Sequence, residues 1–140
     1  MDVVVLIGRV VFAALFVGSG LSHFQKREAM SGYAGQMGVP SPLPATLASG
    51  AVILVGGLMV LLGVWADLGA LLLVAFLVPA AVIMHGFWRF TDDAQQAQME
   101  QIQFMKDMAL AGAALALFAF FAYAGGDLGL TLTGPLFDLS

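Results

Sequence analysis

Arg9, His23, His85, Trp88 and Lys106 are the residues of this 140-residue chain whose types and placing could do chemistry. All five lie within or at the ends of long apolar stretches, where a polar side chain is costly. Arg9 stands about two turns into the first stretch, and a charge at mid-membrane costs at least ~2.5 kcal/mol on insertion scales. Snorkelling relieves part of that cost. Two uses would account for it. One is an interhelical clamp, with Arg9 reaching Asp67 or the carbonyls of a helix end. The other is a positive seat for the head of an anionic or quinone-like, lipid-soluble ligand.

His23 and His85 invite a topological argument. Each closes an apolar stretch, and the two stretches run in the same direction, so both imidazoles arrive on one side at similar depth. Trp88 and Lys106 arrive there as well, with Gln101 and Gln103 just ahead of the lysine. A ring of two histidines, a lysine and a tryptophan could hold a polar headgroup or a quinone carbonyl. The imidazoles can change protonation near neutral pH. The Lys106 ammonium is expected to keep them neutral by like-charge repulsion, able to accept a hydrogen bond and to steady a reduced quinone as it loses a proton. Two histidines on two helices also meet the minimum for a bis-His haem. Nothing fixes these rings face to face, so haem is not expected. Without an acidic ligand pair beside them they make a poor zinc site, and no metal is expected.

The elements that position these residues are membrane spans. The stretches 3–21, 45–65, 68–88 and 105–124 each approach the ~20 apolar residues that cover ~30 Å of hydrocarbon. The composition agrees: 61% hydrophobic and 10% charged, with a mean hydropathy of +0.97. The expected fold class is all-α, a single-domain four-helix membrane bundle with a short interfacial helix in the first loop. That helix is read from Ala29, Met30, Tyr33 and Met37, which recur at helical spacing beside Lys26, Arg27 and Glu28. A second polar helix is expected to start near Thr91 and Asp92 and run into the fourth span, with Met99, Ile102 and Met105 along one face. Ser41 before Pro42 reads as a helix start, Asp67 as the cap of the third span, and Pro79 as a kink within it. Ala14 with Gly18, and Gly112 with Ala116, offer small faces for close helix packing.

Charge sets orientation. Lys26, Arg27, Arg89 and Lys106 flank one side, whereas Asp2, Asp67, Asp127 and Asp138 mark the other. The positive-inside rule then places both termini outside the cytoplasmic membrane. The early segment lacks the positive n-region of a secretory leader and is expected to remain as a helix. With no cysteine, disulfide exchange, thiolate nucleophiles and Cys-ligated clusters are excluded for this chain. No basic stripe suggests nucleic acid. With no convincing inverted repeat and only Arg9 well inside, a transporter is disfavoured.

The order of these features resembles the DoxX family of small membrane proteins. The resemblance rests on Gly8-Arg9, "GSGLSHF" (18–24), "GVPSPLP" (38–44), "VGGLMVLLG" (55–63), "MHGFW" (84–88), "QFMKD" (103–107) and "GPLFDLS" at the end. It implies a four-helix membrane bundle of the kind associated with quinone- or sulfur-linked oxidoreductases and redox-stress complexes. It also implies a site at Arg9, His85, Trp88 and Lys106. Two departures stand out: many relatives carry a glutamate where this chain has Ile53, and Lys-Asn where it has Lys106-Asp107. The expected role is therefore a membrane subunit of a redox system. It would bind a quinone or lipid-like ligand through Arg9, His23, His85, Trp88 and Lys106. Its expected partners are membrane lipids, membrane or peripheral redox proteins, and a second copy of itself. The alternative is a non-catalytic structural or assembly subunit of a larger membrane complex.

Overall fold

The computed structural model describes residues 1–137 and 139, and among them the regular structure is entirely helical. Four long helices cross the bundle: α1 (Asp2–Gln25), α3 (Pro42–Leu62), α4 (Ala66–Met84) and α5 (Ala94–Ala124). A short α2 (Arg27–Gln36) fills the first loop, and single 3-10 turns follow α4 (Phe87–Arg89) and α5 (Gly125–Asp127). All four long helices are long and apolar enough to cross a membrane. Their outward faces carry Val3, Val4, Ile7, Val11 and Leu15 on α1 and Leu115 and Phe120 on α5, all exposed. Lipid is as apolar as a protein core, so such faces are stable only when something other than water covers them.

Helix α1 packs on α3, α3 on α4 and α4 on α5. These contacts are close because glycines remove side chains where backbones meet. A Cβ at Gly50 would lie 2.5 Å from the His23 Cβ, and one at Gly20 would lie 2.8 Å from the Leu54 Cβ. Between α3 and α4 a Cβ at Gly69 would lie 2.6 Å from the Met59 Cβ. The small faces expected from the sequence lie elsewhere. Gly18 and Gly112 have no neighbour within 4 Å, and Ala14 and Ala116 are exposed. Small residues recur all round these helices, and the spacing alone does not say which stripe meets a neighbour. The core around these contacts holds Phe16, Ile53, Val60, Leu73, Leu77 and Phe121.

The turn between α3 and α4 comes earlier than the sequence suggests. Helix α3 ends at Leu62, Gly63 adopts a left-handed conformation with φ 67°, and α4 begins at Ala66. Asp67 therefore sits inside the first turn of α4 and does not cap it. Pro79 lies within α4, which continues to Met84. Its ring nitrogen has no hydrogen to give the Ala75 carbonyl one turn earlier. At the start of α3, Ser41 does occupy the cap position before Pro42, but its side chain makes no capping bond.

The segment after α5 folds back over one end of the bundle. Leu132 and Thr133 donate their backbone N–H groups to the Gly63 carbonyl, each at 3.0 Å. The Trp65 N–H donates to Thr133 Oγ1 at 2.8 Å. Asp67 accepts from the backbone N–H groups of Leu136 and Phe137, at 3.0 and 2.7 Å.

Candidate functional site

The five residues singled out by type fall into three separate places. Arg9 is at the end closed by the C-terminal segment, 2% exposed. Its Nε donates to the Val60 carbonyl at 2.9 Å, Nη2 to Leu61 at 2.7 Å and Nη1 to Leu130 at 2.7 Å. Val60 and Leu61 belong to the last turn of α3, whose carbonyls have no partner within the helix. A cation at a helix C-terminus also meets the negative end of the dipole. Arg9 is thus the clamp that the sequence allowed, made to helix-end carbonyls and to the folded-back segment, with Asp67 engaged elsewhere. Each of its three nitrogens donates to a backbone carbonyl, and it is no part of the cavity described next. Ile53 is fully buried in the core two turns before Val60.

His23, His85 and Lys106 come together at the opposite end, where they line one cavity of about 690 Å³. Its walls are α3 (Ala45, Ala48, Val52) and α4 (Leu72, Phe76, Pro79), with Met30, Tyr33 and Ala34 of α2 closing it from the side of the loop. The volume lies within the range of about 300–1,000 Å³ common for small-molecule sites. Trp88 is not among the lining residues. It is half exposed and packs edge-on against Phe87 and Phe104, at centroid distances of 5.2 and 5.7 Å. Because α4 stops at Met84, the chain turns away before Trp88 can follow His85 inward.

His85 is the centre of the polar end. Its Nδ1 lies 2.8 Å from Glu100 Oε2, and its Nε2 lies 3.7 Å from Asp107 Oδ2. Glu100 also accepts, at Oε1, from the Tyr33 hydroxyl at 2.7 Å and from Gln96 Nε2 at 2.8 Å. Glu100 and Asp107 are both buried. Side chains of α2 and α5 and of the residue that closes α4 are thereby joined in one hydrogen-bonded chain. Burial, then the bond to Glu100 and its negative charge, push the Tyr33 phenol up to about 12. Each of these effects opposes a phenolate there.

The imidazole environment corrects the expectation of a lysine-dominated ring. Lys106 is exposed, and its ammonium bonds Gln103 Oε1 on its own helix. What faces the His85 ring is acidic, so the like-charge argument does not describe it. His23 reaches the cavity wall but donates its Nδ1 hydrogen to the Ser19 carbonyl of its own helix, at 2.8 Å. Among the described residues no set of three His, Asp or Glu side chains is arranged to hold a metal ion.

Tyr33, Glu100 and Asp107 were not singled out from sequence, although a signal was present. Gln96, Glu100, Gln103 and Asp107 are spaced four, three and four residues apart, which puts them on one face of α5. The opposite face holds Met99, Ile102 and Met105, all more than half exposed. The polar face turns inward and the apolar face outward, the reverse of a helix in water.

The comparisons with known proteins agree with this architecture. The chain is 28% identical over 115 residues to the inner membrane protein YphA of Escherichia coli (strain K12), covering 82% of this chain and 81% of that protein. No solved structure matches. The family model for DoxX matches residues 4–86, which takes in Arg9, His23 and His85 and stops short of Glu100, Lys106 and Asp107. With more than half of its length matched, and four apolar helices of membrane-crossing length in the fold, the chain belongs to the DoxX family and is an integral membrane protein.

Proposed function

We propose that this protein is a membrane subunit of a redox system that holds a quinone-type or lipid-like molecule in the cavity beside His85. The observation that carries this reading is the make-up of the cavity lining. Mostly apolar side chains of α3 and α4 suit a ring or tail, and polar groups among them, His23, Thr46, Ser49, His85 and Asp107, suit an oxygen-bearing head. Such pairing of an apolar body with a few convergent polar groups is the usual form of a small-molecule site. Electrons for such a system would come from a membrane or peripheral redox partner. The cation-rich His85 end then faces the cytoplasm, and both termini face outward.

Purification in mild detergent, followed by organic extraction and mass spectrometry, tests the proposal. A quinone or other prenylated or acylated molecule should co-purify in stoichiometric amount, and His85→Ala should lower its occupancy while the protein remains folded. A wild-type protein that carries no such molecule, yet forms a stable complex with another membrane protein, would replace this reading with that of a structural subunit. A C-terminal reporter that is active only in the cytoplasm should be silent; activity would reverse the orientation.

A further inference from the structure

Resting on the reading that the cavity holds a membrane-soluble ligand, we propose that the site selects the chemistry of that ligand's head. It takes a neutral hydroxyl, a hydrogen-bond donor on an apolar body, in preference to a carbonyl, ether or carboxylate. Glu100 is the residue that sets this preference, although it does not line the cavity.

The argument starts at Glu100. Its Oε1 accepts from both Tyr33 and Gln96, and its Oε2 faces His85 Nδ1. Two donors on one carboxyl oxygen mark Glu100 as the accepting partner, and an ionised carboxylate can only accept. The hydrogen of the His85 ring therefore sits on Nδ1 and is given to Glu100. In the neutral imidazole that leaves Nε2 as an acceptor, the same fixing of tautomer by a carboxylate that orients catalytic histidines elsewhere.

Nε2 looks onto the cavity end beside Asp107 Oδ2, 3.7 Å away. That separation is too long for a direct hydrogen bond. With the ring neutral and Asp107 ionised, it leaves two acceptors side by side at the cavity end that both residues line. An oxygen seated beside both must bring its own hydrogen, which goes to one of them or is shared between the two. A hydroxyl does so, giving a charge-assisted bond to Asp107 or a bond to Nε2. A quinone carbonyl or an ether brings none. A carboxylate head meets the negative charge of Asp107, with Glu100 behind it. If the hydroxyl is acidic, its O–H can break as the proton passes to Nε2, and the imidazolium formed is held by Glu100 on the other side. No electron moves in that step.

Binding to the full-length protein in lipid nanodiscs, followed by native mass spectrometry, is the test. The probes share one tail and differ only in the head: 4-dodecylphenol, 4-dodecylanisole and 4-dodecylbenzoate. The wild type should favour the phenol over the anisole by about tenfold, the worth of one charge-assisted hydrogen bond, and should bind the benzoate weakest. Asp107→Asn should bring the benzoate up toward the phenol. Glu100→Gln should offer an N–H to Nδ1, move the ring hydrogen to Nε2, and narrow or invert the phenol-to-anisole ratio. The ring ¹⁵N shifts of His85 should report that move, which a merely structural role for Glu100 would not produce. If none of the probes binds the wild type, the cavity reading itself fails. If all three bind equally, the cavity stands and the head selectivity proposed here is wrong. A phenol preference that survives Glu100→Gln removes Glu100 from the account.

Discussion

Replacing Arg9 with methionine keeps most of the apolar stem and removes three donors from a site that is 2% exposed. Each bond from a charged donor contributes about 1.5–3 kcal/mol, so the gross loss is about 4.5–9 kcal/mol. Part is offset because the variant no longer buries a charge. The Val60 and Leu61 carbonyls, left without partners at the end of α3, add cost in the other direction. A net destabilisation of about 3–5 kcal/mol follows, as for breaking one side of a buried polar network. Arg9→Lys should fall between, because one ammonium cannot reach the last turn of α3 and the Leu130 carbonyl with the planar spread of a guanidinium. The measurement is reversible unfolding in mixed micelles, paired with chymotryptic cleavage after Leu128 and Leu130, which should quicken when the Nη1 bond to Leu130 is lost. Ligand occupancy at the His85 end should not change in Arg9→Lys, since the guanidinium lies at the far end of the bundle. Arg9→Met with wild-type stability and an equally protected C-terminal segment would refute the clamp.

Gly50→Ala should cost about 1–3 kcal/mol through overpacking, because its Cβ would press on the His23 Cβ at 2.5 Å. Gly18→Ala, with nothing within 4 Å, should be neutral or slightly stabilising in the same micellar unfolding assay. The Tyr33 phenol, followed by phenolate absorbance in a Tyr123→Phe background, should titrate near 12. Glu100→Gln should lower that midpoint while leaving it above the ordinary value of ~10, because the contribution of burial remains. As the folded value lies above the unfolded one, the stability contributed by Tyr33 is complete below ~pH 10 and is lost as pH rises through about 12. A Tyr33 that titrates at the free-phenol value would show that its bond to Glu100 does not form.

The amino-acid sequence by itself determined the spans, their number and the side on which each polar residue emerges. Those properties are local: an apolar run of sufficient length must become a helix in lipid, and charges must lie near its ends. It also determined that Arg9 needed a buried partner and that His23, His85 and Lys106 would reach one end together. Only the tertiary structure decided what each one faces, since a helix turns 100° per residue and packing sets its rotation. In water the apolar face of α5 would mark the core; in a membrane it marks the lipid. Glu100 and Asp107 were therefore present in the pattern without their inward direction being readable. The last residues look like a plain loop, short and rich in glycine and leucine. Their hold on Arg9 spans most of the chain length and that on Gly63 and Asp67 about half of it, and no local rule encodes it. Trp88 shows the converse: it stands three residues from His85 in sequence, and the end of α4 at Met84 turns it out of the site.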